Sequence, residues 1–518
     1  MKRRTGIVLG VVAVVTATLA IGLASVVPFS SDTARQKVIA LLAEKFDADV
    51  ELRSLHVRVL PTLHAEGDGL TVRHKGRTDV PPLITVAHFA ADASVLSLYR
   101  KHLSHVRLEG LDIEIPPDRN KNKDEHPAGV ATSGDRRAST SVRAFVIDQL
   151  QSVDGRLVII PDEPDKEPRV WAIHRLRMQS VSFDRSMPFD ATLTNAIPPG
   201  EIDANGNFGP WRDDEPGETP LDGRFVFKQA DLSVFKGITG ILSAAGSFGG
   251  SLERIDIHGQ TETPAFTVTE AGHPISLHAA YHAVVDGTNG NTYLENVDAT
   301  FNRTEIVAKG SVVHRHGIHG RTVSLDVTME KARLEDVLLL AVDAPQPPMT
   351  GALKLHTAFV IPPGHVDVVR KLQLEGRFTI ADTRFTSLDV QRKIDELSRR
   401  SSGRPADVSR TRVASNFAGT FRLAHGTLSI PSVAFDTPGS IIRLSGNYRI
   451  EPETLDFSGT LFMNAKLSET TTGFKSLLLK IADPFFKRPG GGSAIPIKIT
   501  GPRSDPDIGL DKGRVFGK

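Results

Sequence analysis

Most of this chain alternates apolar and polar residues with a period of two, and this alternation is what most restricts its fold. Leu111, Ile113 and Ile115 alternate with Asp112 and Glu114, and the same pattern returns through the C-terminal half. Successive side chains of a β-strand point to opposite faces, so each such segment has one apolar and one polar face. The sequence therefore predicts a mainly β protein built from one-sided antiparallel strands.

A glycine precedes many of these alternating segments. The pattern of glycine, any residue, apolar, any residue, apolar begins at Gly223, Gly351, Gly376, Gly419, Gly446 and Gly459. The copies are irregularly spaced, so they mark recurring strand starts rather than a solenoid with a fixed period. A glycine at this position permits a bulge or a sharp bend, and we expect it to curl the sheet.

Few segments have the spacing of a helix. The clear candidates are Thr33 to Phe46, Thr386 to Arg399 and Lys475 to Asp483, in which apolar residues recur three and four positions apart. These helices are too few to cover the apolar faces of so many strands. Two solutions remain: two sheets pack together as a sandwich, or one sheet curls along its length and leaves an apolar groove.

An uncharged apolar stretch, Gly6 to Phe29, follows the basic residues Lys2, Arg3 and Arg4. At about 1.5 Å per residue it can cross a hydrocarbon core of about 30 Å as a helix, whereas the apolar region of a signal peptide has about 7 to 15 residues. We interpret it as a transmembrane anchor, with signal-peptidase cleavage near Gly22 to Ala24 as the alternative. The basic tip is expected to stay cytoplasmic, which places the body in the periplasm of a Gram-negative cell.

An anchor favours the groove over the sandwich. The expected fold is mainly β: an N-terminal transmembrane helix, then a long curled antiparallel β-sheet that forms a groove, with a few short helices. The polar insertion in this scheme has almost no apolar residues to bury, so it is expected to be disordered. The expected segments are a cytoplasmic tip (1–5), the anchor (6–29), a helix-plus-strand module (30–115), the polar insertion (116–141), a β module (142–220) with a polar break (211–220), and a C-terminal β body (221–518).

The composition argues against several kinds of chemistry. The chain has no cysteine, which removes disulfides, zinc–thiolate sites and thiol catalysis. Its 62 basic and 61 acidic residues give a net charge of +1, so no overall field attracts nucleic acid. The motifs GxSxG, GxxxxGK[ST] and HExxH do not occur in the sequence. We predict a protein that is not an enzyme and holds no cofactor or metal; a hydrolase with an unrecognised site is the weakest alternative.

Two polar clusters contain residue types that bind metals. His314, His316 and His319 lie close together, and Asp286 to Asn291 carries several oxygen ligands. The histidines are flanked by alternating segments, and the second cluster lacks the acidic spacing and the distal glutamate of a calcium loop. We interpret both clusters as turns between strands.

The segment Phe474 to Arg488 interleaves apolar residues with lysines and an arginine. It has the composition of an amphipathic helix that lies at a membrane surface, or of a helix that packs on the last strands. We favour packing, because the apolar side is short and Pro489 to Gly492 has the composition of a hinge.

Several segments resemble AsmA-like proteins. The C-terminal segments Leu467 to Lys487, Ile495 to Gly501 and Pro506 to Asp511 resemble the C-terminal region of that family, and so does Arg384 to Arg400. The order of basic tip, apolar span, helix and strands, through Val106 to Ile113, is similar to the family's start. The resemblance implies an inner-membrane protein with a periplasmic β-rich body, related in architecture to chorein-type bridge-like lipid transfer proteins. It also implies a link to phospholipid movement toward the outer membrane and to envelope integrity, without catalytic residues.

We therefore expect a single-pass inner-membrane protein that handles or conducts phospholipid between the inner and outer membranes through an apolar groove. Its expected partners are the inner membrane, phospholipid, and an outer-membrane or periplasmic protein at the C-terminal end. The alternative is a structural or chaperone-like envelope protein that supports outer-membrane assembly. Apolar residues of the clearest strands are expected to line the groove, or to form a core if the fold is a sandwich. They are Phe225, Phe227, Leu353, Leu355, Phe378, Ile380, Phe421, Leu423, Tyr448, Ile450, Leu461 and Met463.

Overall fold

The protein is mainly β, as the alternation predicts: 65% of the residues described by the computed structural model lie in strands. The described residues are 31–46, 48–58, 62–74, 81–100, 102–115, 146–159, 169–212, 215–314, 320–364, 366–407, 413–471, 486–488, 491–511 and 513–514. The predicted anchor, the predicted insertion at 116–141 and the predicted helix at Lys475 to Asp483 lie outside these ranges. Among the helices inside them, none has both the length and the apolar character needed to cross a bilayer.

Five α-helices lie within the described part of the chain. They are α1 (Ser31–Phe46), α2 (Val95–Tyr99), α3 (Leu334–Leu339), α4 (Val368–Lys371) and α5 (Leu388–Ser401). Helix α1 confirms the helix predicted from Thr33, and α5 confirms the one predicted from Thr386, displaced by two residues at each end. Short 3₁₀ helices occur at Pro216–Glu218, Leu232–Val234 and Leu467–Thr470.

The described strands follow one another along the chain, and most of them are separated by fewer than ten residues. They are β1 (Ala48–Arg58), β2 (Leu63–His74), β3 (Ile84–Ala93), β4 (His102–Ile115), β5 (Val146–Ile159), β6 (Arg169–Val181), β7 (Met187–Asn195), β8 (Gly200–Phe208), β9 (Pro220–Asp231), β10 (Ile238–Thr239), β11 (Ile241–Ser251), β12 (Arg254–Val268), β13 (Ile275–Val285), β14 (Thr292–Phe301), β15 (Thr304–His314), β16 (Arg321–Arg333), β17 (Met349–Ile361), β18 (Gln373–Phe385), β19 (Ser415–Ala424), β20 (Thr427–Thr437), β21 (Ser440–Arg449), β22 (Thr454–Met463), β23 (Ser493–Pro502) and β24 (Asp507–Leu510).

Contacts divide the chain into two compact units. The first comprises Met1–Asp231, Leu242–Gly259 and Val284–Asn291, and the second comprises Leu232–Ile241, Gln260–Ala283 and Thr292–Lys518. The polar break at 211–220 connects β8 to β9 in the first unit, and these two strands pair directly, with Phe208 opposite Leu221.

The first unit has a filled hydrophobic core. Strands β1 to β9 pair in chain order, antiparallel except for β4 and β5, which are parallel. Helix α1 contributes Ala34, Val38 and Leu42, which are at most 1% exposed, to a cluster that includes Leu70 and Ile84 at 0%. A helix therefore covers part of the apolar face that the alternation creates on these strands.

The second unit continues the same alternation with less cover. Strands β14 to β24 pair antiparallel in chain order. Its hydrophobic cluster has five buried members, which lie near α3: Met329, Ala332, Leu334, Leu353 and Ile380. Most of the other apolar side chains on these strands are only half-buried. The apolar side of the second unit's strands is therefore less completely covered than that of the first unit.

Candidate functional site

Cross-strand register in the second unit places apolar side chains in continuous rows. The first row runs through directly opposed residues on seven consecutive strands without a polar member. It consists of Leu353, Ile380, Phe417, Phe435, Ile442, Leu461 and Ile495, from β17 to β23. Because opposed residues share a face of the sheet, these side chains form one apolar band.

Further rows follow on the same face at steps of two residues. The second row is Leu355, Phe378, Gly419, Val433, Leu444, Gly459 and Ile497. The third row is interrupted at the β19–β20 bulge and contains Thr357, Gly376 and Phe421, then Ile430, Gly446, Phe457 and Ile499. The fourth row is Phe359, Leu374, Leu423, Leu428, Tyr448 and Leu455. We call these four rows the apolar face.

The apolar face is large for a surface that is not fully covered. Seven strands span about 29 Å across the hydrogen-bonding direction, and four rows span about 20 Å along the strands. These limits enclose roughly 600 Å² of sheet, of which only the half-buried residues contribute accessible apolar surface. The opposite face of the same strands carries exposed charged residues, such as Glu375, Arg377 and Arg422. The prediction of one apolar and one polar face is therefore confirmed for these strands.

Burial differs between the first row and the fourth. In the first row, Leu353, Ile380 and Phe435 are buried, with 5 to 7% of their surface exposed, and the other four members are half-buried. The third row contains the buried Thr357 and Phe457, and in the fourth row every member is half-buried. The face is therefore closed around Leu353 and Ile380, and the fourth row retains accessible apolar surface.

Helix α3 covers the apolar face around Leu353 and Ile380. Leu334 is 6% exposed and packs with Met329 and Leu353, and Val337 and Leu338 pack against the same cluster. Polar contacts fasten the helix on two sides. The Asp336 carboxylate accepts hydrogen bonds from the β14–β15 turn, and the Glu335 carboxylate accepts one from the Gly351 backbone N–H at 3.1 Å.

The structure brings ten of the twelve predicted lining residues into the second unit. Leu353, Ile380 and Met463 are buried, and the other seven are half-buried: Leu355, Phe378, Phe421, Leu423, Tyr448, Ile450 and Leu461. Ile450 follows the end of β21 and belongs to none of the four rows. Phe225 and Phe227 are half-buried on β9 in the first unit, where the Phe225 and Phe248 ring centres are 6.5 Å apart. Their role as a lining remains a prediction.

Aromatic side chains lie next to one another on the apolar face. The ring centres of Phe378 and Phe421 are 6.2 Å apart, and those of Phe417 and Phe435 are 4.7 Å apart. Tyr448 is the polar exception among the aromatic residues of these rows. Burial raises the pKa of its phenol, so the hydroxyl is uncharged at neutral pH.

The predicted association of these glycines with bulges holds for some of them. Gly351 lies at a register shift and Gly419 and Gly446 border one, but Gly376 and Gly459 are in unbroken register with both neighbouring strands. A Cβ on Gly419 would lie 2.7 Å from the Ser432 carbonyl oxygen, and one on Gly446 would overlap the Asp456 carbonyl. At Gly419 and Gly446 the backbone of the neighbouring strand therefore lies too close to leave room for a side chain.

We expect Gly446→Ala to destabilise the strands around it by about 1–3 kcal/mol, because the methyl group must displace a backbone carbonyl rather than a flexible side chain. Hydrogen exchange of β20 to β22 measures this loss. Gly509→Ala is the matched control, because a Cβ there meets nothing within 4 Å. Equal exchange in the two variants would show that close approach of the strands does not require the glycine.

Several members of the apolar face were missed by the sequence pattern. Phe417 and Phe435 were not assigned, although Phe417 lies two residues before Gly419 and shares its face. Ile495, Ile497 and Ile499 alternate clearly, but no glycine of the recurring pattern precedes them. A search for alternation alone, without the glycine, would have found them.

The two polar clusters behave as turns where they are described. Asp286 accepts hydrogen bonds from Thr288 N at 2.9 Å and from Asn289 Nδ2 at 2.5 Å, so its carboxylate serves its own loop between β13 and β14. His314 ends β15, and its Nδ1 lies 2.9 Å from the Gly320 carbonyl oxygen, just before β16. Residues 315–319 lie outside the described ranges. Within those ranges, no group of three potential ligands is arranged to hold a metal ion.

In the first unit, hydrogen bonds join a serine, an aspartate and a histidine, but not in the order that a hydrolase triad requires. Ser54 Oγ donates to Asp68 at 2.8 Å, and Asp68 lies 2.9 Å from His88 Nδ1. A catalytic triad requires histidine between the serine and the carboxylate, so that the imidazole can take the hydroxyl proton. Here the carboxylate is in the middle, and these contacts lower the pKa of Asp68, which is a poor base.

Comparison of the chain with protein-family models, with curated proteins and with solved structures yields no match. The similarity to AsmA-like proteins therefore depends on the sequence segments described above. The apolar face itself is independent of that resemblance, because it follows from the register of the strands.

Proposed function

We propose that the protein binds the acyl chains of phospholipid on the apolar face and conducts lipid between the inner and outer membranes. In this proposal Gly6 to Phe29 anchors the chain in the inner membrane and the β body lies in the periplasm, as in AsmA-like proteins. The strands β17 to β23 act as one wall of a curled groove. The side chains of the face provide binding, and no chemical reaction is required.

The observation that carries the proposal is the half-buried fourth row. Burying apolar surface stabilises a protein by about 25 cal/mol for each Å², so a ligand that covers the accessible part of this row gains binding energy. An acyl chain is a suitable cover. One leaflet of a bilayer provides about 15 Å of hydrocarbon, and the face extends about 20 Å along its strands.

The energetics explain why such a face is useful. Each methylene moved into water costs about 0.8 kcal/mol, so a sixteen-carbon chain crossing bare water meets a barrier of about 12 kcal/mol. An apolar path keeps the chain covered at each step and leaves the head group in water.

Photocrosslinking with an unnatural amino acid tests the proposal on the full-length protein in cells. We expect probes at Leu374, Leu423 and Leu455, in the fourth row, to crosslink to phospholipid. Probes at the adjacent residues Glu375, Arg422 and Asp456 point to the other face and should not crosslink to lipid. Crosslinks to protein in place of lipid at the fourth row would instead favour the envelope-assembly alternative.

A further inference from the structure

The polar face of the second unit carries a pair of arginines against one aromatic ring. The guanidinium carbon of Arg443 lies 5.5 Å from the centre of the Phe462 ring, and that of Arg488 lies 5.2 Å from the same centre. Both arginines are exposed and Phe462 is half-buried. We call these three residues the arginine–phenylalanine patch.

The register places the patch away from the apolar face. Phe462 lies opposite Ile441 on β21 and opposite Ala494 on β23, and it is the neighbour of Leu461, which belongs to the first apolar row. Adjacent residues of a strand point to opposite faces, so Phe462 projects from the polar side. An aromatic ring on that side does not serve the proposed acyl-chain path, and it needs a separate explanation.

Among the described residues, neither guanidinium group has an acidic partner. The ion pairs found in the described part of the chain include neither Arg443 nor Arg488, although neighbouring surface arginines pair with carboxylates. Asp436 lies opposite Ile441, which is two residues before Arg443, and it makes no ion pair with Arg443. Lys487 adds a third exposed cation next to Arg488. The patch is therefore locally positive on a chain whose net charge is only +1.

A guanidinium held over an aromatic ring is prepared to bind an oxyanion. The ring reduces the hydration of the cation, and its N–H donors stay available to a ligand. Those donors form a planar fork that matches the oxygen atoms of a phosphate group. Two forks beside one aromatic ring suit a surface of closely spaced phosphates with an apolar layer beneath them. A bilayer that contains anionic phospholipid has that structure.

We propose that the arginine–phenylalanine patch docks the second unit on the surface of an anionic bilayer, with Arg443 and Arg488 on lipid phosphates and Phe462 at the interface. This contact is separate from the proposed lipid path, because it involves head groups in a membrane and lies on the other face of the strands. It brings the sheet beside a membrane without requiring a protein partner.

Vesicle binding by the full-length protein tests this proposal. The protein is held in a nanodisc of phosphatidylcholine, which shields Gly6 to Phe29, and is presented with vesicles of phosphatidylcholine alone or with phosphatidylglycerol added. We expect tighter binding to the anionic vesicles. The double variant Arg443→Gln with Arg488→Gln should bind the anionic vesicles about 30-fold more weakly, because each arginine contributes a factor of about five.

The matched control is Arg422→Gln with Arg503→Gln. It makes the same change in net charge, but these arginines lie near carboxylates, at 3.9 Å from Glu375 and 3.1 Å from Glu453. It should retain most of the binding. The variant with lysine at both 443 and 488 keeps the charge and loses the planar fork, so it should fall between the two.

Three results would overturn the proposal. One is equal affinity of the wild type and the Arg443→Gln, Arg488→Gln variant for anionic vesicles. Another is an equal loss in the control pair, which would reduce the effect to net charge. The third is binding of inorganic phosphate by the patch, measured by protection of the arginines from a guanidinium reagent, without any binding of vesicles. Normal lipid crosslinking on the apolar face in the same variants would leave the proposed function intact.

Discussion

Replacing Phe378 and Phe421 by aspartate is expected to reduce the phospholipid bound to the protein at least tenfold. The two rings are neighbours at 6.2 Å near the centre of the apolar face. A carboxylate in contact with hydrocarbon costs about 2.5–3.5 kcal/mol, so two of them interrupt any path for an acyl chain. Mass spectrometry of lipid that copurifies with the full-length protein measures the loss, and lipid flux in cells lacking paralogues measures its consequence.

The matched control changes the same strands on the other face. Thr379 and Thr420 are exposed and lie next to Phe378 and Phe421 in the sequence. Thr379→Asp with Thr420→Asp adds the same charge without touching the apolar face, so bound lipid should be unchanged. Normal lipid content in the phenylalanine variant, or an equal loss in the threonine variant, would contradict a role for the apolar face. Hydrogen exchange of β18 and β19 verifies that both variants are folded.

The second large effect is expected on stability, when Asp336 is replaced. This residue is 7% exposed and lies outside the proposed lipid path. Its carboxylate accepts hydrogen bonds from Thr304 Oγ1 at 2.9 Å, from Arg303 N at 3.1 Å and from Asn302 Nδ2 at 3.4 Å. These bonds attach α3 to the turn between β14 and β15. Asp336→Ala leaves buried donors without acceptors, and we expect it to destabilise this end of the unit by about 3 kcal/mol.

Asp336→Asn separates the hydrogen bonds from the charge. The amide keeps the shape and one acceptor oxygen, so its cost should be clearly smaller than that of alanine. Hydrogen exchange should show faster opening of β14 to β17 in the alanine variant, and unchanged protection of β1 to β4 in the first unit. If the alanine and asparagine variants exchange alike, the fastening of α3 does not depend on these acceptors. Faster opening of the closed end should also increase the exposure of Leu353 and Ile380.

Local features of the fold were predictable because they depend on neighbouring residues. Alternation in Leu374 to Ile380 is enough to assign a one-sided strand, and the start of α1 follows from its apolar spacing. The same reasoning failed on the packing of α5. Leu388 and Val390 belong to the apolar spacing that predicts this helix, yet they are 60% and 40% exposed.

The buried side of α5 is polar, and its contacts come from distant parts of the chain. Gln391 is 2% exposed. Its Oε1 accepts a hydrogen bond from Phe385 N at 2.9 Å, and its Nε2 donates one to the Val413 carbonyl oxygen at 3.0 Å. Ser398 Oγ donates to the Pro438 carbonyl at 2.7 Å. Hydrophobic periodicity predicts the helix but not this packing, because the partners of its polar side chains are backbone groups whose positions depend on other strands.

The sequence by itself determined the strands, their two faces and the identity of most apolar side chains, because a period of two is a property of consecutive residues. Only the tertiary structure decided which strands lie opposite one another, so only it could join Leu353 to Ile495 in one row. It also decided that α3 covers the first row at Leu353 and Ile380 and that the fourth row is left half-buried. Register and cover depend on residues far apart in the chain, and for this reason the local pattern contains neither.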